Sequence, residues 1–197
     1  MEERDGIKAC YAKSEKAWRD WLSRNHSKEK SVWLIIYKKR STTPSVYYSE
    51  AVDQALCFGW IDSKPNKRDD ESYYQFFAKR NPKSKWSRVN KNKVARLTKL
   101  GLMEKAGLEM VALAKQTGTW DALNDVDQIL IPEDLQKLFD NNKKAKKNFE
   151  AFPRSAKRGI LEWILNAKRP ETRQKRMEET IQLAQENLRA QQYQPKK

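Results

Sequence analysis

The sequence predicts an α+β fold: a small N-terminal sheet with helices, in the order α-β-α-β-β over residues 1–86, and a helical C-terminal part over residues 87–197. The two parts are expected to pack as one compact unit. Three observations carry this. Val32-Trp33-Leu34-Ile35-Ile36-Tyr37 is a short β-branched and aromatic run, which reads as a strand buried on both sides. Trp60–Ser63 and Ser72–Phe77 are apolar and aromatic segments flanking a polar turn, the pattern of a β-hairpin. From Ser87 onward the apolar residues recur at three- and four-residue spacing, the period of amphipathic helices.

In chain order, Ser14 is a good N-cap for a helix to about Arg24, with Ala17, Trp18, Trp21 and Leu22 on one face. After the 32–37 strand and the Thr42-Thr43-Pro44 turn, Ser49 caps a helix with Val52, Ala55, Leu56 and Gly59 on one face. The hairpin follows, its tip the six polar residues Pro65–Asp70. Ser87 caps a helix carrying Val89, Val94, Leu97 and Leu100, and Gly101 ends it. Shorter helices are expected from Gly107 to Lys115, from Pro132, along Ala145, Phe149 and Phe152, and along Ile160, Trp163, Ile164 and Ala167. The last starts at Pro170, with Met177, Ile181, Ala184 and Leu188 as its stripe, and a Gln/Lys-rich tail closes the chain at 191–197.

The 197 residues carry 41 basic and 26 acidic side chains, a net charge of +15. The charge is unevenly placed: +4 over 1–80, +7 over 81–100, −5 over 101–140 and +9 over 141–197. A basic balance of this kind suits an anionic ligand, an acidic protein partner or weak, unspecific nucleic-acid contact, and it also keeps a protein soluble. No apolar run approaches the length a membrane helix needs, so no transmembrane segment is expected. The start Met1-Glu2-Glu3-Arg4-Asp5 has no apolar stretch behind it, so no signal peptide is expected and the location is read as cytoplasmic. Two cysteines and one histidine exclude a disulfide framework and a four-ligand zinc site. There is no Gly-rich phosphate loop, nucleophile elbow or His-Glu-x-x-His motif, and no metal or other cofactor is expected.

Four strings along the chain are distinctive: Ala55-Leu56-Cys57-Phe58-Gly59-Trp60-Ile61-Asp62, Trp86-Ser87-Arg88-Val89-Asn90-Lys91, Gly101-Leu102-Met103 with Ala106-Gly107, and Ala167–Arg173 with Arg176. They resemble, in order, the ALCFGWID, WSxxNK, GxMxxAG and AKRxETRxxR elements of the YdeI/OmpD-associated, or bacteriocin-protection, family. Asn25-His26 sits where that family often has an Asn-His pair. The chain departs from the family at Lys79-Arg80, where a Pro-Arg pair is usual. The resemblance implies a role in bacteriocin tolerance or envelope stress and names no molecular activity.

Cys57 late in its helix reads as a core thiol rather than a nucleophile, since the helix C-terminus disfavours a thiolate. His26, its only candidate base, suits a helix end, where a histidine satisfies a terminal carbonyl. Asp62, polar within an apolar string, either pairs with Arg80 across the hairpin or faces a ligand. The acid-free stretch 79–99 offers an anion site: Ser87 and the N–H groups of the helix it caps, with Arg80, Trp86, Asn90 and Lys91 around them. The same residues also make an ordinary cap with a solvated basic face. Arg169, Arg173 and Arg176 share a helix face at a spacing that fits carboxylates or phosphates, or pairing with the acidic 121–134 region. The chain is therefore read as a non-enzymatic binding or stress-tolerance protein, possessing at most an anion site. Two alternatives stand beside it: a nucleic-acid binder using the 60–78 hairpin as a wing beside the 87–100 helix, and an enzyme acting on a small anionic substrate held by Asp62, Arg80, Trp86 and Asn90.

Overall fold

The structure is a computed structural model that describes residues 2–191. By internal contacts it divides into two units, residues 1–122 and 123–197. The expected division at 86/87 follows the change from strands to helices; the division by contacts instead keeps two further helices with the sheet.

The first unit contains β1 (Glu3–Arg4), β2 (Ile7–Tyr11), α1 (Glu15–Asn25), β3 (Ser31–Tyr37), α2 (Tyr48–Cys57), β4 (Trp60–Lys67), β5 (Ser72–Lys79), α3 (Arg88–Lys99) and α4 (Lys105–Gln116). The sheet order is β1-β2-β3-β5-β4, with β2 and β3 parallel and every other pair antiparallel. The parallel pair needs a crossover, and α1 supplies it. β3 is the central strand. Its residues Val32, Leu34 and Ile36 face a core that also holds Trp18 and Leu22 of α1, Ala51, Val52, Ala55 and Leu56 of α2, and Phe77 of β5. Trp60, Trp86, Val94, Leu97, Val111 and Ala114 complete that core. On the other face, Trp33, Ile35, Tyr74 and Ala9 form a smaller cluster, with the Arg4 guanidinium over both aromatic rings.

Several elements differ from expectation, each for a local reason. β1 and β2 were not anticipated. They are joined by Asp5-Gly6, both at positive φ (52° and 71°), the backbone of a two-residue hairpin turn. The helix expected to be capped by Ser49 starts two residues earlier, at Tyr48 with Tyr47 as its N-cap; the Tyr47 N–H donates to the Glu50 carboxylate at 2.9 Å. β4 runs through Pro65 to Lys67, so the tip is four residues rather than six. β4 is a sheet edge, where a missing N–H costs no ladder bond, and the register shifts between Asp62 and Pro65. Asp69 then closes the tip by accepting the N–H groups of Glu71 and Ser72 at 2.8 and 2.7 Å. In α3 only Val94 and Leu97 are buried, while Val89 and Leu100 are exposed.

The second unit contains α5 (Asn124–Gln128), α6 (Glu133–Asp140), α7 (Lys143–Ala151), α8 (Arg154–Leu165) and α9 (Pro170–Gln185). Its core is Leu135 and Phe139 of α6, Ala145 and Phe149 of α7, Ile160, Leu161 and Ile164 of α8, and Met177 and Ala184 of α9. The short α5 was not expected, and Leu188 lies beyond the last helix, exposed. All but the first residue of the Gln/Lys-rich tail lies outside the described residues. No helix among the described residues is long and apolar enough to cross a membrane.

Candidate functional site

The site grows from a close approach of two helix ends in the first unit. Gly59 takes φ +73°, which lets the chain turn sharply from α2 into β4 and sets Phe58 and Trp60 on either side of the turn. α4 then starts against the end of α2. The Glu104 N–H donates to the Cys57 carbonyl at 3.1 Å, and a Cβ on Gly107 would lie 2.2 Å from that same oxygen. Only a glycine lets the two backbones meet there.

Beside this junction opens a cleft of about 660 Å³, lined by Phe58, Gly59 and Trp60 of the turn and by Ala106, Met110 and Leu113 of α4. His26, Ser27, Lys79, Lys105 and Glu109 add its polar groups. Their positions are held from several elements. The Trp60 indole donates to the His26 carbonyl at 3.2 Å, and the Lys79 ammonium donates to the Ser27 carbonyl at 2.8 Å. The His26 ring is 5.1 Å from Phe58, and its Nδ1 donates to the Leu22 carbonyl at 2.9 Å, leaving Nε2 as the nitrogen without a backbone partner. As expected, this histidine satisfies a carbonyl at the end of α1. The sequence reading found Phe58, Gly59 and Trp60 as a motif, but its enzyme alternative placed a pocket around Asp62, Arg80, Trp86 and Asn90, none of which lines this cleft, and it gave no site role to Lys79, Lys105, Glu109, Met110 or Leu113. The pair Gly59 and Gly107 was the available signal; nothing in the sequence marks the lysines.

The anticipated anion residues lie elsewhere and fare unequally. Arg80 is 4% exposed, with its guanidinium 3.8 Å over the Trp86 ring and one Nη donating to the Lys85 carbonyl at 2.7 Å. Its Nε is buried with no partner, and burial pulls the group's pKa down to about 10 against the opposing charge of Asp62. The ion pair expected between Asp62 and Arg80 is not formed. The Asp62 carboxylate instead accepts the Tyr48 hydroxyl at 2.6 Å; burial, then this carboxylate, pushes that phenol up to about 12. Ser87 caps α3 as expected, its oxygen accepting the Asn90 N–H at 3.3 Å. Lys91 lies 3.9 Å from Asp121, and Lys93 and Arg96 both reach Asp53, so three of the nine basic residues of the 79–99 stretch have a carboxylate beside them. Trp86 is buried against Trp120.

In the second unit the arginine row is divided. Arg173 makes a two-pronged bond to Asp134, at 2.7 and 3.0 Å, the internal pairing that the acidic segment suggested. Arg176 donates to the Trp163 carbonyl and lies over that indole, and Arg169 is exposed at the start of α9. Cys57 is fully buried, and burial, more than any neighbouring charge, pushes its thiol up; Cys10 is pushed to about 12 in the same way. Among the described residues no group of histidines, cysteines and carboxylates is placed to hold a metal ion.

Comparison with known proteins now bears on this geometry. Residues 10–110 match the family model described as Domain of unknown function (DUF8412), and residues 128–187 match the one described as Bacteriocin-protection, YdeI or OmpD-Associated. The chain belongs to the first of these families; the second match covers its C-terminal part alone, and there the chain is similar to that family. No curated protein and no solved structure matches it. The YdeI/OmpD-associated match falls on the segment with the Ala167–Arg176 string, while the other three strings and all of the cleft but Leu113 fall within the DUF8412 match. The similarity to the bacteriocin-protection family thus lies in the helical unit, and the cleft lies in the other.

Proposed function

We propose that this protein is a non-enzymatic, cytosolic binding protein of the stress-tolerance type, as its similarity to the bacteriocin-protection family suggests, and that the cleft at the junction of α2 and α4 binds a small molecule with an apolar body. The cleft itself carries the reading. Its volume is in the range of small-molecule sites, and Phe58, Trp60, Ala106, Met110 and Leu113 make an apolar lining with a few polar groups beside it. The buried Cys57 thiol, pushed up rather than activated, and a His26 whose Nδ1 is committed to a backbone carbonyl, favour binding over nucleophilic chemistry. A saturable rise in Nile red emission tests it. The neutral dye should bind the native protein and lose most of that binding in Leu113→Trp, which fills the cleft. Equal binding by both proteins sinks the proposal.

One observation keeps a second reading in view. The buried Arg80 Nε with no partner, close to the start of α3, favours a small anion near Ser87, Asn90 and Lys91. With Lys91, Lys93 and Arg96 beside carboxylates, nucleic acid is left weak, salt-sensitive contact at such exposed residues as Lys83, Arg88 and Lys99.

A further inference from the structure

Resting on the cleft reading, we infer that its ligand is an amphiphilic anion: an apolar chain or ring lying along Phe58, Trp60, Met110 and Leu113, and a carboxylate, sulfate or phosphate head between Lys79 and Lys105. The argument starts from charge. Lys79 is not a loose surface lysine. Its ammonium is anchored on the Ser27 carbonyl at 2.8 Å, which holds it at the rim, and an ammonium has three donors, so two remain for a ligand. Lys105 reaches the rim from the first turn of α4; the residue before it, Glu104, makes no side-chain cap and pairs its carboxylate with Arg19. Its one carboxylate neighbour, Glu109, is 3.9 Å away, and both side chains are largely exposed, so this pair is loose and screened. Two cations face one rim carboxylate. The apolar lining of the cleft sets the other half of the ligand, because a small hydrophilic anion would leave Met110 and Leu113 uncovered while paying for its own desolvation.

Displacement of Nile red by probes of one chain length separates this from the broader reading. Decanoate and decyl sulfate supply two anionic heads, decyl maltoside a neutral one and decyltrimethylammonium a cationic one, each below its micelle-forming concentration. The anions should displace the dye at concentrations about fivefold or more below the neutral probe, the size of one or two partly exposed ion pairs. Lys79→Met and Lys105→Gln should each erase several-fold of that preference and leave decyl maltoside unchanged, while Glu109→Gln should strengthen it. A marked difference between decanoate and decyl sulfate assigns the head group. Equal displacement by all four probes, or preference for the cation, overturns the anionic inference and leaves the cleft reading standing. Failure of the dye and of every probe to bind overturns both.

Discussion

Replacing Gly107 by alanine should lower the stability of the first unit by about 3 kcal/mol or more, read as a fall in the urea midpoint followed by tryptophan emission. The added methyl would lie 2.2 Å from the Cys57 carbonyl oxygen and 2.8 Å from that of Leu56. Both are backbone atoms at the end of α2 and cannot rotate away, so α4 must move off. Gly101→Ala separates this clash from simple glycine chemistry. Gly101 has nothing within 4 Å of its added methyl but sits at φ +67°, so the substitution costs only the backbone strain, about 1 kcal/mol. A similar loss in both variants would mean that α2 and α4 do not meet as described, and the cleft between them would lose its wall.

The second large effect is expected at Arg80, and its sign depends on the substitute. Arg80→Ala removes the stack on Trp86 and the bond to the Lys85 carbonyl and hollows a buried site, a loss of about 3 kcal/mol. Arg80→Met keeps most of the volume and removes a buried charge that has no carboxylate within ion-pair range. Trading a poorly compensated charge for an apolar chain is often neutral or better, so methionine should fall within about 1 kcal/mol of the wild type. If methionine proves as damaging as alanine, the guanidinium has a compensating partner, and the anion reading at Ser87 gains ground.

These two residues also show how far the sequence could be read. The β3 run, the Ser14 and Ser87 caps and the helical stripes around Phe149 and Ile164 were legible because burial and capping leave local patterns. The β1–β2 hairpin was legible in principle. Asp5-Gly6 is a strong turn signal, and Ile7, Ala9 and Tyr11 alternate behind it, but Lys8 and the strand's short length hid it. Asp62 was rightly singled out as unusual, yet its partner was wrong. An expected ion pair across a hairpin is a guess about register, and the bulge at Asp62/Pro65 changes that register. Arg173 was easier, because a bidentate bond to a carboxylate needs only an acidic segment within reach. The cleft was not legible. It is formed by side chains from the α1–β3 loop, the α2–β4 turn, the end of β5 and one face of α4, and apart from the glycines at 59 and 107 no local pattern records that they converge.

The central claim is that ligand binds at the α2–α4 junction, and chemical-shift mapping by NMR on the intact protein tests it most directly. With Nile red or decanoate added, the backbone amides of Phe58, Gly59, Ala106 and Met110 and the indole of Trp60 should shift together and saturate, while Asn90 and Lys91 stay put. Shifts confined to Ser87, Asn90 and Lys91, or scattered over exposed residues with no saturation, would contradict the account.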